Sequence, residues 1–209
     1  MSTPPVIIRS QEARRRAIVE AAKRVFLRDG YEAATIDAIA DEAGVSKQTI
    51  YNYGWGKEYL FEQVVNEMTD HCGTLMVRAV ETVPPGQEDV ADELTQIAVG
   101  ICERFFDPDA NAFRPMVESE SRRNAAFAEG WERRGIGRTM RALADRLAHM
   151  AEAGRLRVDD PMFAARQFYA LTTWEADRIS LRAVETYDAA FLERSQREGV
   201  RMFLNTYGT

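Results

Sequence analysis

The chain has 209 residues, 45% of them apolar and 29% charged, with seven prolines and two cysteines: the composition of a globular protein with material for a sizeable core. A formal net charge of -6 argues against general binding to polyanions. The charge is uneven, however, because residues 1–57 carry nine Lys/Arg against seven Asp/Glu and the acidic surplus lies in the remainder.

The first residues, MSTPPVIIRSQEARRR, contain only a short apolar run before arginine, so neither a signal peptide nor a membrane anchor is expected, and the protein should work in the cytoplasm without a membrane partner. Residues 1–10 lack a period and hold Pro4 and Pro5, which suggests a flexible arm. Arg9 and the run Arg14, Arg15 and Arg16 can approach phosphates or a minor groove, or can simply solvate a helix start. From Gln11, the spacing of Ile18, Ala21, Ala22, Val25 and Phe26 predicts a helix to about Asp29, stopped by Gly30, with Tyr31 beneath it.

Thr35 to about Glu42 is a short amphipathic helix by the spacing of Ile36, Ile39, Ala40 and Ala43, with Thr35 as its cap. Gly44 follows where the chain must turn sharply. Ser46 caps a second helix whose inward side is Val45 and Ile50, leaving Lys47, Gln48, Thr49 and Tyr51 outside. Two short helices around a glycine turn make a helix-turn-helix unit, whose second helix enters the major groove of DNA. Lys47 can meet phosphate or guanine, Gln48 can address adenine with two hydrogen bonds, and Thr49 offers a hydroxyl and a methyl for thymine. Tyr51 and Tyr53 add phenolic donors for phosphate oxygens. The same helix pair also occurs as plain packing in many all-helical proteins.

The segment RRRAIVEAAKRVFLRDGYEAATIDAIADEAGVSKQTIYNYGWGKEYLF resembles the N-terminal DNA-binding domain of the TetR family of bacterial transcription regulators, through Ile18, Phe26, Gly30, Tyr31, Thr35, Ile39, Gly44, Ser46, Thr49, Tyr51, Tyr53, Lys57 and Glu58 among others. The resemblance implies a DNA-backbone contact for Lys57, whose place at a helix N-terminus also favours phosphate. One departure is Gly54-Trp55-Gly56, where the family has Phe, a variable residue and a small polar cap; Trp55 can fill the aromatic slot from one position later, and Gly56 is a weaker cap.

Residues 1–56 are therefore read as a DNA-binding head and residues 57–209 as a ligand-binding and dimerisation body, in an all-α chain of about nine helices. A long helix is predicted over 57–83, ended by Pro84, Pro85 and Gly86, and another over 89–106, with Gly100 opposite its apolar stripe and able to admit a close neighbour. A shorter helix is expected over 113–120, and one over 124–153 carrying Met140, Leu143, Leu147 and Met150. The next runs from Met162 to about Arg182, apolar nearly all round in its first half, and the last from Ala189 to about Thr206. The stretch from FRPMVESESRR to GRLRVDDPMFAARQFYAL resembles, more loosely, an AefR-like C-terminal domain of the same family.

The reading that emerges is a homodimeric, effector-responsive repressor of a palindromic operator in double-stranded DNA. Thr35, Ser46, Lys47, Gln48, Thr49, Tyr51, Tyr53 and Lys57 are its candidate DNA contacts. The small-molecule effector implied by the family would sit against Phe105, Phe113, Met116, Trp131, Met150, Phe168, Tyr169 and Trp174, with Arg114, Glu118 and Arg122 as polar anchors. Phe168 and Leu171, with Leu192, Ser195, Gly199 and Phe203, are the candidate dimer seam. No cofactor, metal site or catalytic residue is expected: His71 and His149 lie far apart without a ligand or catalytic motif around them or around Glu118 and Glu120. Cys72 and Cys102 read as buried structural thiols rather than a redox pair. A rival reading, prompted by Gly54-Trp55-Gly56, is a dimeric ligand-binding module that no longer reads DNA.

Overall fold

A computed structural model of the chain describes residues 6–180 and 188–209, with side chains from residue 11 onward in the first helix. Among the described residues there are ten α-helices and one 3-10 turn, and no pairing of extended chain beyond an isolated bridge between Leu156 and Gly208. The all-α class holds. Packing divides the helices into two compact units, one made of residues up to Met68 with Ala112–Ala128, the other of Thr69–Asn111 with Glu129–Thr209. The first unit thus extends past residue 56 and takes in a segment from later in the chain.

In the first unit, α1 (Val6–Ala33), α2 (Ile36–Ala43), α3 (Lys47–Asn52) and the start of α4 (Lys57–Glu81) enclose Ile18, Phe26, Ile39, Ile50 and Leu60, each fully buried. Helix α1 starts at Val6 rather than Gln11, so residues 6–10 are helix and not a flexible arm; Pro4, Pro5 and the Arg9 side chain lie outside the described residues. Gly30 breaks its regular geometry with φ 76° and ψ 165°, a conformation that side-chain-bearing residues avoid. The kink lets Tyr31 turn its ring onto Phe61, 4.6 Å between centroids, and Phe26 meets Phe61 edge-on at 5.5 Å.

The second unit holds the rest of α4, α5 (Val90–Cys102), α8 (Ile136–Glu152), α9 (Pro161–Ser180) and α10 (Ala189–Tyr207). Helix α6 (Pro108–Arg123) belongs to the first unit from Ala112 onward, and α7 (Ala125–Arg134) begins in the first unit and continues in the second from Glu129. Three expectations are corrected. The helix expected to reach Phe106 tightens into a 3-10 turn over Glu103–Phe106, and α6 begins at Pro108, five residues before Phe113, because Pro108 takes the first helical position and Asp107 caps the Ala110 N–H at 2.8 Å. The single helix expected over 124–153 is two, parted at Gly135, whose missing Cβ would stand 3.2 Å from the Trp131 carbonyl and 3.1 Å from Thr69. Helix α9 is described from Pro161 to Ser180, and residues 181 and 182 of the expected helix lie outside the described residues.

Two glycines mark close helix contacts. A Cβ at Gly100 would lie 2.9 Å from that of Ala79, so the neighbour admitted there is α4. A Cβ at Gly199 would lie 2.5 Å from the Leu171 carbonyl oxygen, which presses α10 against α9. Glu93, fully buried on α5, is met by Arg146 at 2.6 Å and Arg155 at 2.7 Å, and these arginines also donate to the carbonyls of Val83 and Gln87. Such a buried carboxylate is tolerated because both its oxygens face guanidinium; removing one partner from a buried pair costs about 3–5 kcal/mol.

Four of the candidate dimer residues are interior. Phe168, Leu192, Gly199 and Phe203 pack inside the second unit, Phe168 edge-on to Phe203 at 5.3 Å. Ser195 is half-buried and Leu171 exposed. The apolar side chains that α9 and α10 turn outward are instead Phe163, Leu171 and Trp174, and Phe191 and Met202.

Candidate nucleic-acid interface

Helix α2 begins where Thr35 accepts the Ala38 N–H at 3.1 Å and ends at Gly44, left-handed at φ 65° and ψ 32°, whose N–H returns to the carbonyls of Ala40 and Asp41. That left-handed residue redirects the chain within one position. Ser46 then caps α3, accepting the Thr49 N–H at 3.2 Å and sharing a 2.8 Å hydrogen bond with its hydroxyl. With Ile50 fully buried, the helical period turns Lys47, Gln48, Tyr51 and Asn52 to the outside. Thr49 is half-buried, its hydroxyl held by Ser46.

Each outward polar side chain has a partner within the unit. The Lys47 ammonium lies 2.9 Å from Asp37 and 5.9 Å from the Tyr51 ring; its hydrogen bond to Asp37 raises its pKa, against a smaller opposing effect of burial. Gln48 donates from Nε2 to Asn52 Oδ1 at 2.9 Å. Tyr53 is half-buried and packs on Trp55, 4.9 Å between centroids, and Trp55 stacks in turn on Tyr59 at 5.4 Å. The Arg15 guanidinium covers this stack, 5.2 Å from the Tyr53 ring and 5.9 Å from Trp55. Trp55 is only 8% exposed, so it is part of the unit's core.

Lys57 is more engaged than its sequence position suggests. Its ammonium donates to the carbonyls of Tyr31 at 2.9 Å and Glu32 at 3.1 Å, satisfying the end of α1, and sits 4.7 Å over the Tyr31 ring. On the other side of the unit, Arg24 and Arg28 reach across from α1 to Glu42 on α2 at 2.7 and 3.3 Å, with the Arg24 bond lowering the carboxyl's pKa. Sequence reasoning missed Asp37, Asn52 and the Arg15 stack. The i,i+4 spacing of Gln48 and Asn52 on one helix was the available signal for the second; nothing local pointed to Asp37 or Arg15, which lie on other helices.

The chain matches two family patterns. Residues 18–64 match that described as bacterial regulatory proteins, tetR family, and residues 92–209, more than half of the chain, match the AefR-like transcriptional repressor, C-terminal domain. The chain belongs to the tetR family of bacterial transcription regulators. A helix-turn-helix-type transcriptional repressor of Mycobacterium tuberculosis is 27% identical over 159 residues, covering 76% of this chain and 78% of that protein. Among solved structures, a tetR-family regulator from Mesorhizobium loti superposes with a TM-score of 0.84 at 24% identity, covering 95% of this chain and 98% of the other, which shows the shared fold. The flavonoid-responsive regulator FrrA superposes with a TM-score of 0.72 at 27% identity, covering 94% and 98%. The tetR-family chain is thus a DNA-binding transcriptional regulator, and its relatives are regulators rather than enzymes.

The candidate effector residues do not share one core. Phe113 and Met116 belong to the first unit, where Glu118 pairs with Arg114 at 3.2 Å and Arg122 is exposed. Phe105, Met150, Phe168 and Tyr169 belong to the second, while Trp131 and Trp174 are 37% and 61% exposed. His71 and His149 are both exposed, and among the described residues no three His, Cys, Asp or Glu side chains gather as metal ligands. No helix among the described residues is long and apolar enough to cross a membrane.

Proposed function

We propose that this regulator is a homodimeric repressor that binds a palindromic operator through two copies of α3 and is released by a hydrophobic, aromatic effector. The observation that carries the reading is the left-handed Gly44 beside the buried Ile50, which leaves Lys47, Gln48 and Tyr51 exposed on one side of a six-residue helix. Lys47, Gln48 and Tyr51, with the Thr49 methyl, would face base edges, and Thr35, Ser46, Tyr53 and Lys57 would approach the backbone. One such helix makes few base contacts, each worth about 1–3 kcal/mol of discrimination, so an operator needs two.

Pairing is supported by the outward faces of α9 and α10. Phe163 and Trp174 are 11 residues apart on one helix, Phe191 and Met202 11 apart on the other, which is three helical turns, so each pair shares a face. All four are about half exposed or more, an apolar load unusual for a surface facing water alone. The aromatic effector is supported by the likeness to FrrA, described as flavonoid-responsive. Effector and operator would then compete through a coupling energy of about 1–3 kcal/mol, typical of such linkage.

DNase footprinting on the DNA flanking the protein's own gene, at low salt, tests the reading. Two protected patches with centres one helical turn apart, or a multiple of it, are expected. Absence of any protected patch at low salt would overturn it.

A further inference from the structure

We propose that Asn52 is a positioning residue for Gln48, holding its amide in the orientation that reads adenine; this rests on the operator reading above. Lys47 and Thr49 have polar partners that lie off the exposed face of α3 or at its start, namely Asp37 and Ser46. The partner of Gln48 is different, because Asn52 stands one turn further along the same exposed face.

The chemistry of the amide gives the contact its meaning. A glutamine amide carries one acceptor oxygen and two N–H donors, and oxygen and nitrogen differ little in shape, so an unheld side chain presents either order to a base. The edge that pairs with adenine uses the oxygen, to accept from N6, and the N–H on the same side as that oxygen, to donate to N7. The other N–H points away from this edge, and Asn52 Oδ1, 2.9 Å from Gln48 Nε2, is placed to take it. With Asn52 presenting Oδ1, the contact favours nitrogen rather than oxygen on that side of Gln48. It does so without occupying the reading edge. Holding the long, rotamer-rich side chain beforehand also removes part of the ordering cost of the contact. Asn52 is thereby oriented too, with its own NH2 directed away from Gln48.

The test is selection from duplex DNA carrying two randomised half-sites, with the wild-type protein and the variants Gln48→Ala, Asn52→Ala, Asn52→Asp and the double Gln48→Ala/Asn52→Ala. A well-made bidentate amide contact discriminates by roughly 5- to 150-fold. Asn52→Ala is expected to lower the adenine preference by about 5-fold or more at the half-site position that Gln48→Ala also relaxes. The double variant is expected to be no more relaxed than Gln48→Ala alone. Asn52→Asp keeps the acceptor but adds an anion, so it should weaken binding to all sequences while the adenine preference survives; a role in folding alone would not produce this split. An unchanged preference in Asn52→Ala, or effects of the two residues that add at separate positions, overturns the inference and leaves the operator reading standing. Selection of no sequence by the wild-type protein overturns both.

Discussion

The Lys57 ammonium is bound to the carbonyl of Tyr31 at 2.9 Å while lying 4.7 Å over the ring of the same residue. One side chain thus closes α1 beyond its kink and ties it to the first turn of α4. An ammonium has three donors, and two are engaged by Tyr31 and Glu32, which leaves one for a phosphate. Lys57→Ala should therefore show two effects. Thermal unfolding of the variant should fall by an amount equivalent to about 0.5–1.5 kcal/mol, from the loss of hydrogen bonds to one half-buried and one exposed carbonyl. The slope of log affinity against log salt should drop by about one for every DNA sequence. A lower melting temperature with an unchanged salt slope would make Lys57 a structural residue only.

Asp37 restrains the recognition helix. Its carboxylate holds Lys47 at 2.9 Å, and both are largely exposed, so the pair adds little to stability in water. Near DNA it matters more, because the carboxylate repels phosphate and competes for the lysine. Asp37→Asn should tighten binding by about 3- to 10-fold on specific and unrelated duplexes alike, with a steeper salt dependence. Equal or weaker affinity in a low-salt fluorescence titration would show that Lys47 does not reach DNA.

The outer faces of α9 and α10 predict the oligomeric state. Leu171→Glu with Trp174→Glu places charge on exposed positions, so the monomer fold should survive, as judged by circular dichroism. Sedimentation should shift from dimer to monomer. Losing the second head should cost operator affinity about 100-fold or more. Sedimentation identical to that of the wild type would remove these faces from any interface.

Cys102 predicts a response to alkali. Burial pushes its thiol up to about 11 from an ordinary 9.0, with a smaller opposing pull from Gln196, and its Sγ donates to the Thr172 carbonyl at 3.4 Å. Because the folded-state value is the higher, the thiol's contribution to stability is complete below pH 9 and is lost as pH rises towards 11. The unfolded chain sheds the proton first. Against Cys102→Ala, wild-type stability in urea should fall by about 2–3 kcal/mol more across that window, and Cys102 should resist alkylation at pH 8 until unfolding. Rapid labelling of Cys102 in the folded protein would contradict its burial.

Much of this was open to reading in the chain itself. The short helices on either side of Gly44 follow from apolar spacing, a capping Thr35 or Ser46, and a glycine where left-handed backbone is needed, all within a few residues of one another. Asp107-Pro108 carried an equally local start signal for α6, a capping residue followed by proline, yet the helix was expected only from Phe113. For the break at Gly135 the sequence offered only the glycines at 130, 135 and 137, which weaken a helix without fixing where it parts. At Gly135 itself Thr69, 66 positions away, comes close to where a Cβ would be. Likewise the apolar stripe of α10 shows that one side of it is covered, but not that α9 of the same chain lies against Gly199 and Phe203.

The division follows from the range of the forces. Hydrogen bonds of caps and turns, and the period of a helix, join residues within about four positions, so the sequence alone determined the helical class, the turn at Gly44 and the outward placing of Lys47, Gln48 and Tyr51. Burial is shared between surfaces distant in the chain. Only the tertiary structure could decide that Trp55 completes an aromatic core, that Lys57 closes α1, that Asp37 holds Lys47, and that Trp174 rather than Phe168 faces outward.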